Sequence, residues 1–303
     1  MKGEDDMDRY DDDQAQHFAR STQFSRRGFA ATATGLVAGF TLCTGPLNAA
    51  TIVTDDNGLD AGEVTVPVSG GSMPAYRARP KGKTHLPTVL VVQEIFGVHE
   101  HIRDICRRFA HLGYYAIAPS LYFRYGDPGK YDMTTVQQLV TEIVGKVPDS
   151  EVMSDLDSTV AFAGGDGANT TKLAITGFCW GGRVVWLYAA HNQNLKAGVA
   201  WYGQLRGPAT VNPLRPKYPL ELVDQINAPV LGFYGGQDKG IPISDVEDMK
   251  AALAKAGKRK SKLEVFMDSG HGFFADYRPS YNEKDAKDGW RQLQAWFKSN
   301  GVA

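Results

Sequence analysis

Two hydrophobic periods share this chain. Glu63–Val68 alternates polar and apolar residues, and Met73–Arg79 does the same after Ser69-Gly70-Gly71-Ser72. That alternation around a Gly-rich turn predicts an opening β-hairpin. The pattern then changes: Thr88–Val92 is an unbroken apolar run, the mark of a strand covered on both faces. Ile102, Ile105, Cys106 and Phe109 follow at helical spacing. Further strands are predicted at 114–118, 172–176, 197–201, 229–234 and 262–267. Helices are predicted at 132–146, 150–163, 184–190, 244–256 and 282–298, with a Pro-rich excursion at 207–219. Strands alternating with helices after a hairpin predict one α/β domain, a mostly parallel sheet with helices on both faces. In such sheets ligands bind beyond the carboxyl ends of the strands.

The first fifty residues follow neither period. Residues 1–20 carry three basic and seven acidic side chains with no apolar pattern, as a disordered segment does. Ser25-Arg26-Arg27-Gly28-Phe29-Ala30 precedes an uncharged stretch rich in Ala, Gly and Thr that runs to Ala50. A basic pair, a moderately apolar segment and small residues at its end make a secretory signal, and the paired arginines resemble a twin-arginine export signal. The expectation is a leader at 1–50, a folded domain at 51–303, and a periplasmic or secreted protein. A transmembrane anchor is the alternative, weakened by the Gly and Thr content and by Pro46. Cys43 as a lipidated cysteine is weakened by Leu42, where a small residue would be expected.

Composition narrows the function classes. Among 303 residues, 33 Lys and Arg balance 34 Asp and Glu, which removes the electrostatic reason to propose nucleic acid. Three cysteines are too few for a disulfide scaffold or a four-thiolate zinc site. No His or Cys pair has metal-ligand spacing and no Gly-rich loop would cradle a phosphate, so no cofactor is expected. Cys106 falls on the apolar face of a helix and reads as core packing. Phe96, Tyr122, Phe123, Trp201, Tyr202 and Phe274 read as core or pocket lining.

Three predicted strand ends carry chemistry. Gly177-Phe178-Cys179-Trp180-Gly181-Gly182 stands between a strand and a helix, in the pattern of a nucleophile elbow with Cys in place of Ser. The helix beyond Cys179 offers free N–H groups and a positive dipole end, which favour a thiolate and then an oxyanion. Asp238, in Gly235-Gly236-Gln237-Asp238, follows the strand at 229–234. His271, in Ser269-Gly270-His271-Gly272-Phe273, follows the strand at 262–267. Singly, these read as a buried Cys, a turn Asp and a surface or capping His. Together they follow the chain order of α/β-hydrolases: nucleophile, acid, histidine. Glu94 ends the apolar run, where a bare charge is costly. It needs a partner, for which Cys179, an arginine or loop N–H groups would serve.

Gln93-Glu94-Ile95-Phe96-Gly97, Ala118-Pro119-Ser120-Leu121-Tyr122, the Cys179 elbow and Gly270-His271-Gly272-Phe273 resemble the dienelactone hydrolase family, of the α/β-hydrolase superfamily, over roughly 62–299. The resemblance implies an α/β-hydrolase fold and an esterase that opens enol-lactones such as carboxymethylenebutenolide. It implies Cys179 as nucleophile, His271 as base, Asp238 as acid, and Glu94 as the carboxylate that holds the resting thiol. The oxyanion would be met by the N–H groups of Trp180 and Ile95. The family's two substrate-carboxylate arginines map to Arg124 and, displaced from the pattern, to Arg278, for which a plain surface arginine is the alternative. The expected partner is a small ester or lactone, taken by a monomer with no stable membrane anchor after leader cleavage. A general carboxylesterase or thioesterase on the same residues, or a non-catalytic binding protein, are the competing readings.

Overall fold

The computed structural model describes residues 52–303. The leader predicted at 1–50, with Arg26, Arg27 and Cys43, lies outside the described residues. Within them, the alternating segments form β1 (Leu59–Val68) and β2 (Gly71–Pro80), antiparallel and in a register that sets Val66 opposite Met73. Both side chains are fully buried, so this register places the apolar set of each strand on the core face. β2 continues antiparallel onto β4 (Tyr115–Pro119), and from there the sheet is parallel. β3 (Leu86–Val92), β5 (Ala168–Phe178), β6 (Ala197–Trp201), β7 (Val230–Gly235) and β8 (Lys262–Phe266) complete eight strands in the order β1-β2-β4-β3-β5-β6-β7-β8.

Every residue of β4 and β6, and the run Thr88–Val92 of β3, is buried. Strands without an exposed face must be covered on both sides. The cover comes from α1 (Glu100–His111), α2 (Val136–Glu142), α3 (Asp149–Gly165), α4 (Trp180–His191), α5 (Ile243–Lys255) and α6 (Glu283–Ser299). α1 carries the buried stripe Ile102, Ile105, Cys106 and Phe109 that its spacing predicted. No described helix is long and apolar enough to cross a membrane.

Two elements differ from expectation. The helix expected at 132–146 shrinks to α2, between short turns at Pro128–Lys130 and Val144–Lys146. Asp132 is the reason at its start: its Oδ1 accepts the amides of Thr134 and Thr135, a local turn that competes with helix. β5 is longer than 172–176 because it also pairs with the start of β3, Leu86 opposite Ala168, across a register shift at Pro87/Thr88. Neither change touches the strand ends. The carboxyl ends of β3, β5, β7 and β8 lie along one edge of the sheet and carry Glu94, Cys179, Asp238 and His271 just beyond them.

Candidate active site

Cys179 sits between the last residue of β5 and the first of α4 with φ 54° and ψ −112°. A side chain other than glycine holds such a backbone at a cost, and only where its surroundings fix it. Here the Cys179 amide donates to the Trp201 carbonyl at the end of β6 (2.9 Å), and its carbonyl accepts the Arg183 amide in α4 (3.2 Å). The turn is tight enough to require glycine on its far side. A Cβ on Gly181 would stand 2.5 Å from the carbonyl oxygens of Val92 and Gln93. The elbow is therefore pressed against the end of β3, which brings Glu94 and Ile95 beside Cys179.

The Asp238 carboxylate makes two sets of bonds. Its Oδ1 accepts the amides of Gly240 (2.9 Å) and Ile241 (3.2 Å), the turn role read from sequence. Its Oδ2 lies 2.7 Å from Nδ1 of His271. The imidazole also lies within electrostatic reach of the Cys179 side chain. Burial works against a charged imidazole, but the Asp238 and Cys179 charges outweigh it and hold His271 well above the usual histidine range. The structure thus brings Cys179, His271 and Asp238 together, with His271 hydrogen-bonded to Asp238 and within electrostatic reach of Cys179.

Cys179 is the N-cap residue of the helix starting at Trp180, whose first N–H groups have no acceptor within the helix. The amide of Ile95, fully buried in the turn after β3, donates to no backbone acceptor among the described residues. Both expected oxyanion donors thus lie on the segments that flank Cys179.

Glu94 is fully buried, and an arginine is its partner. Its Oε2 accepts from the Tyr277 phenol and from Nη2 of Arg278 (3.2 Å). Its Oε1 has no hydrogen-bond partner among the described residues. Burial alone would raise the carboxyl's pKa, but Arg278 and the Tyr277 hydrogen bond win and hold Glu94 below the ordinary glutamate range. Arg278 is 1% exposed, so it is no surface residue, and its Nη1 likewise has no hydrogen-bond partner among the described residues. Among the described residues Glu94 makes no hydrogen bond to the Cys179 thiol; its Oε2 goes to Tyr277 and Arg278 instead.

Arg124 is not brought to this cluster. Its guanidinium makes two bonds to Asp155 (2.7 and 3.0 Å), lies 3.4 Å from Glu151, and donates to the Ser69 carbonyl. Sequence reasoning missed Tyr277, which adjoins Arg278 but belongs to no periodic pattern. It also missed the seat of that loop. Asp276 binds His101 Nδ1 (2.9 Å), Arg108 (3.3 Å) and the Ile52 amide (3.1 Å), which anchors the segment after His271 to α1. His99, stacked edge-on against Tyr277 at 4.8 Å, is held neutral by burial and by neighbouring His101, with a pKa pushed down to about 3. Cys106 is fully buried, and desolvation pushes its thiol up. No group of three or more His, Cys, Asp or Glu among the described residues is placed to hold a metal ion.

Comparison with known proteins agrees with this architecture. Residues 73–301 match the dienelactone hydrolase family. A protein of Methylorubrum extorquens provisionally named carboxymethylenebutenolidase is 55% identical over 287 residues, covering 94% of this chain and 96% of its own. One of the same provisional name from Escherichia coli K12 is 52% identical, covering 89% and 98%. A crystal structure provisionally named dienelactone hydrolase, from Klebsiella pneumoniae, superposes with a TM-score of 0.75 at 53% identity over 79% of this chain and 98% of that one. With an eight-stranded α/β sheet, and with matches that run nearly the full length of these relatives, the chain belongs to the dienelactone hydrolase family and is a hydrolase of the ester or lactone type.

Proposed function

We propose that the protein cleaves small esters or enol-lactones through a covalent acyl-enzyme on Cys179. The observation that carries this reading is the line Asp238–His271–Cys179, with the thiol on a strained elbow at a helix N-terminus. Asp238 and Cys179 raise His271 and favour its imidazolium form, and in the proposed reaction the deprotonated sulfur of Cys179 is the nucleophile. Its sulfur attacks the carbonyl carbon, and the carbonyl oxygen takes up negative charge opposite the Trp180 and Ile95 amides. The carbonyl re-forms as the ester C–O bond breaks, and His271 gives its proton to the leaving alkoxide or enolate. A water then attacks the thioester while His271 takes its proton. The acid leaves, and the sulfur departs as thiolate beside the imidazolium. Asp238 orients the imidazole through Nδ1. No step calls on a cofactor.

The relatives named carboxymethylenebutenolidase support an enol-lactone carrying a carboxylate as the substrate class. The Arg26-Arg27 leader supports work outside the cytoplasm. The test is turnover of a panel of short esters and lactones by wild type and Cys179→Ala. Hydrolysis by wild type and its loss in Cys179→Ala are expected. Equal turnover by both would exclude the covalent route.

A further inference from the structure

The chain before β1 is tied down by its backbone, not by its side chains. Ile52 and Val53 are 42% and 68% exposed, so apolar burial does not hold them. Terminal segments ordinarily fray unless something fixes them. Here the Ile52 amide donates to Oδ2 of Asp276 (3.1 Å), and the Thr54 amide donates to Oδ1 of Asp104. Nε of Arg107 donates to the Thr54 carbonyl (2.7 Å), and Nε2 of His111 to the Asp55 carbonyl (2.9 Å). Asp104, Arg107 and His111 all belong to α1. Residues 52–55 therefore form a strap that runs along α1 and reaches Asp276, in the segment after His271.

Asp276 is 2% exposed, and a buried carboxylate needs its lone pairs filled. Its Oδ1 is bonded to His101 Nδ1 (2.9 Å), and its Oδ2 is shared by Nη2 of Arg108 (3.3 Å) and the Ile52 amide. Burial would raise this carboxyl, but His101, the Ile52 amide and Arg108 hold it below the ordinary aspartate range. The next two residues in the chain are Tyr277 and Arg278, both bonded to Oε2 of Glu94. The His101 ring also stands 5.3 Å from that of Tyr277 and 6.1 Å from that of Phe178, the residue before Cys179. One carboxylate thus connects the backbone of residue 52 to the groups that fix Glu94.

We propose that Asp276 is a positioning residue of the hydrolytic site and that the strap 52–55 is part of that site's support: the Ile52 amide holds Asp276, and Asp276 sets Tyr277 and Arg278 on Glu94. The strap acts through Asp276 and needs no contact with substrate. Without the Ile52 N–H, Oδ2 keeps only Arg108, and the segment that follows is held less firmly. Tyr277 and Arg278 then meet Glu94 in poorer geometry. The Glu94 charge, less well balanced beside Cys179, disfavours the thiolate. The cut that would remove the expected leader must then fall before Ile52 for full activity. The proposal rests on the hydrolase reading above for its turnover measurement, but not for its alkylation measurement.

The test is Ile52→Pro, which deletes the amide donor, beside Ile52→Ala, which keeps it. Two rates are read well below the melting temperatures: alkylation of Cys179 by iodoacetamide, which needs no turnover, and kcat for 4-nitrophenyl acetate. Ile52→Pro should lower both by about tenfold, the worth of a hydrogen bond to a charged group. Ile52→Ala should leave both near wild type. In a Tyr277→Phe background the loss caused by Ile52→Pro should shrink, because the contact it acts through is already cut. Melting curves identify the folded variants, and a chain that begins at Thr54, which lacks the same amide, serves if Ile52→Pro does not fold. Unchanged rates in a folded variant without the amide would overturn the proposal. So would equal losses in Ile52→Pro and Ile52→Ala, or the full loss in both Tyr277 backgrounds, which marks a merely structural strap. Slowed alkylation in an enzyme that hydrolyses no ester would uphold the strap and count against the hydrolase reading alone.

Discussion

Tyr277 donates its phenolic hydrogen to Oε2 of Glu94, 183 residues away in the chain. The same oxygen accepts from Arg278, so one short segment after His271 fixes the carboxylate at the end of β3. Tyr277→Phe removes one donor from a buried anion. It should cost about 1.5–3 kcal/mol of stability, the usual worth of a hydrogen bond to a charged group. Urea unfolding of wild type and variant measures it. A variant as stable as wild type would mean that Arg278 alone satisfies Glu94.

The same pair gives the acid limb of stability a sign. Arg278 and Tyr277 hold Glu94 below its ordinary value against the cost of burial. A depressed folded-state pKa contributes stability above the ordinary glutamate range, and this is lost as pH falls through the folded-state value. Glu94→Gln leaves Arg278 buried without a charge partner, and should cost about 3–5 kcal/mol at neutral pH. The gap between wild type and Glu94→Gln should narrow as pH falls below about 4.3, where an unfolded-state glutamate protonates. Unfolding free energies across an acid pH series test this, and a gap that widens on acidification would contradict it.

What the sequence made legible follows the physics of each element. Alternation and apolar runs place the strands because burial acts on every second residue or on all of them. The positions of Cys179, Asp238 and His271 could be read because a nucleophile elbow needs glycines at fixed offsets, and because parallel strands bring successive carboxyl ends to one edge. The partner of Glu94 could be narrowed to a short set, but not chosen. Tyr277 and Arg278 reach it through a loop whose path depends on Asp276 docking against His101 in α1. Arg124 shows the converse. A motif position fixes where a residue enters the fold, but its guanidinium goes to Asp155 and Glu151, carried on a helix distant in sequence.

The two cysteines of the described domain should separate cleanly by reactivity. Cys106 is fully buried on α1 with its thiol pushed up by desolvation, and Cys179 has an imidazole beside it. Brief iodoacetamide treatment of native enzyme should modify Cys179 and inactivate it, leaving Cys106 unmodified until unfolding. Peptide mass spectrometry locates the label. Labelling of Cys106 first would contradict this assignment of the reactive thiol.

Export can be tested through the leader alone. Replacing Arg26 and Arg27 by Lys should leave folded, active enzyme in the cytoplasm. Cell fractionation with an esterase assay reads the outcome. Undiminished periplasmic yield from the double variant would exclude the twin-arginine route while leaving the chemistry of the site untouched.

Rapid acid quench of wild-type enzyme during turnover of 4-nitrophenyl acetate, followed by peptide mass spectrometry, tests the covalent route most directly. The thioester survives acid, so the acyl-enzyme is caught if it forms. An acetyl group on Cys179, absent from Cys106 and absent when Cys179→Ala is treated in the same way, is the predicted result. Steady turnover with no acyl group on Cys179 at any quench time, and a Cys179→Ala variant that still hydrolyses the ester, would contradict it.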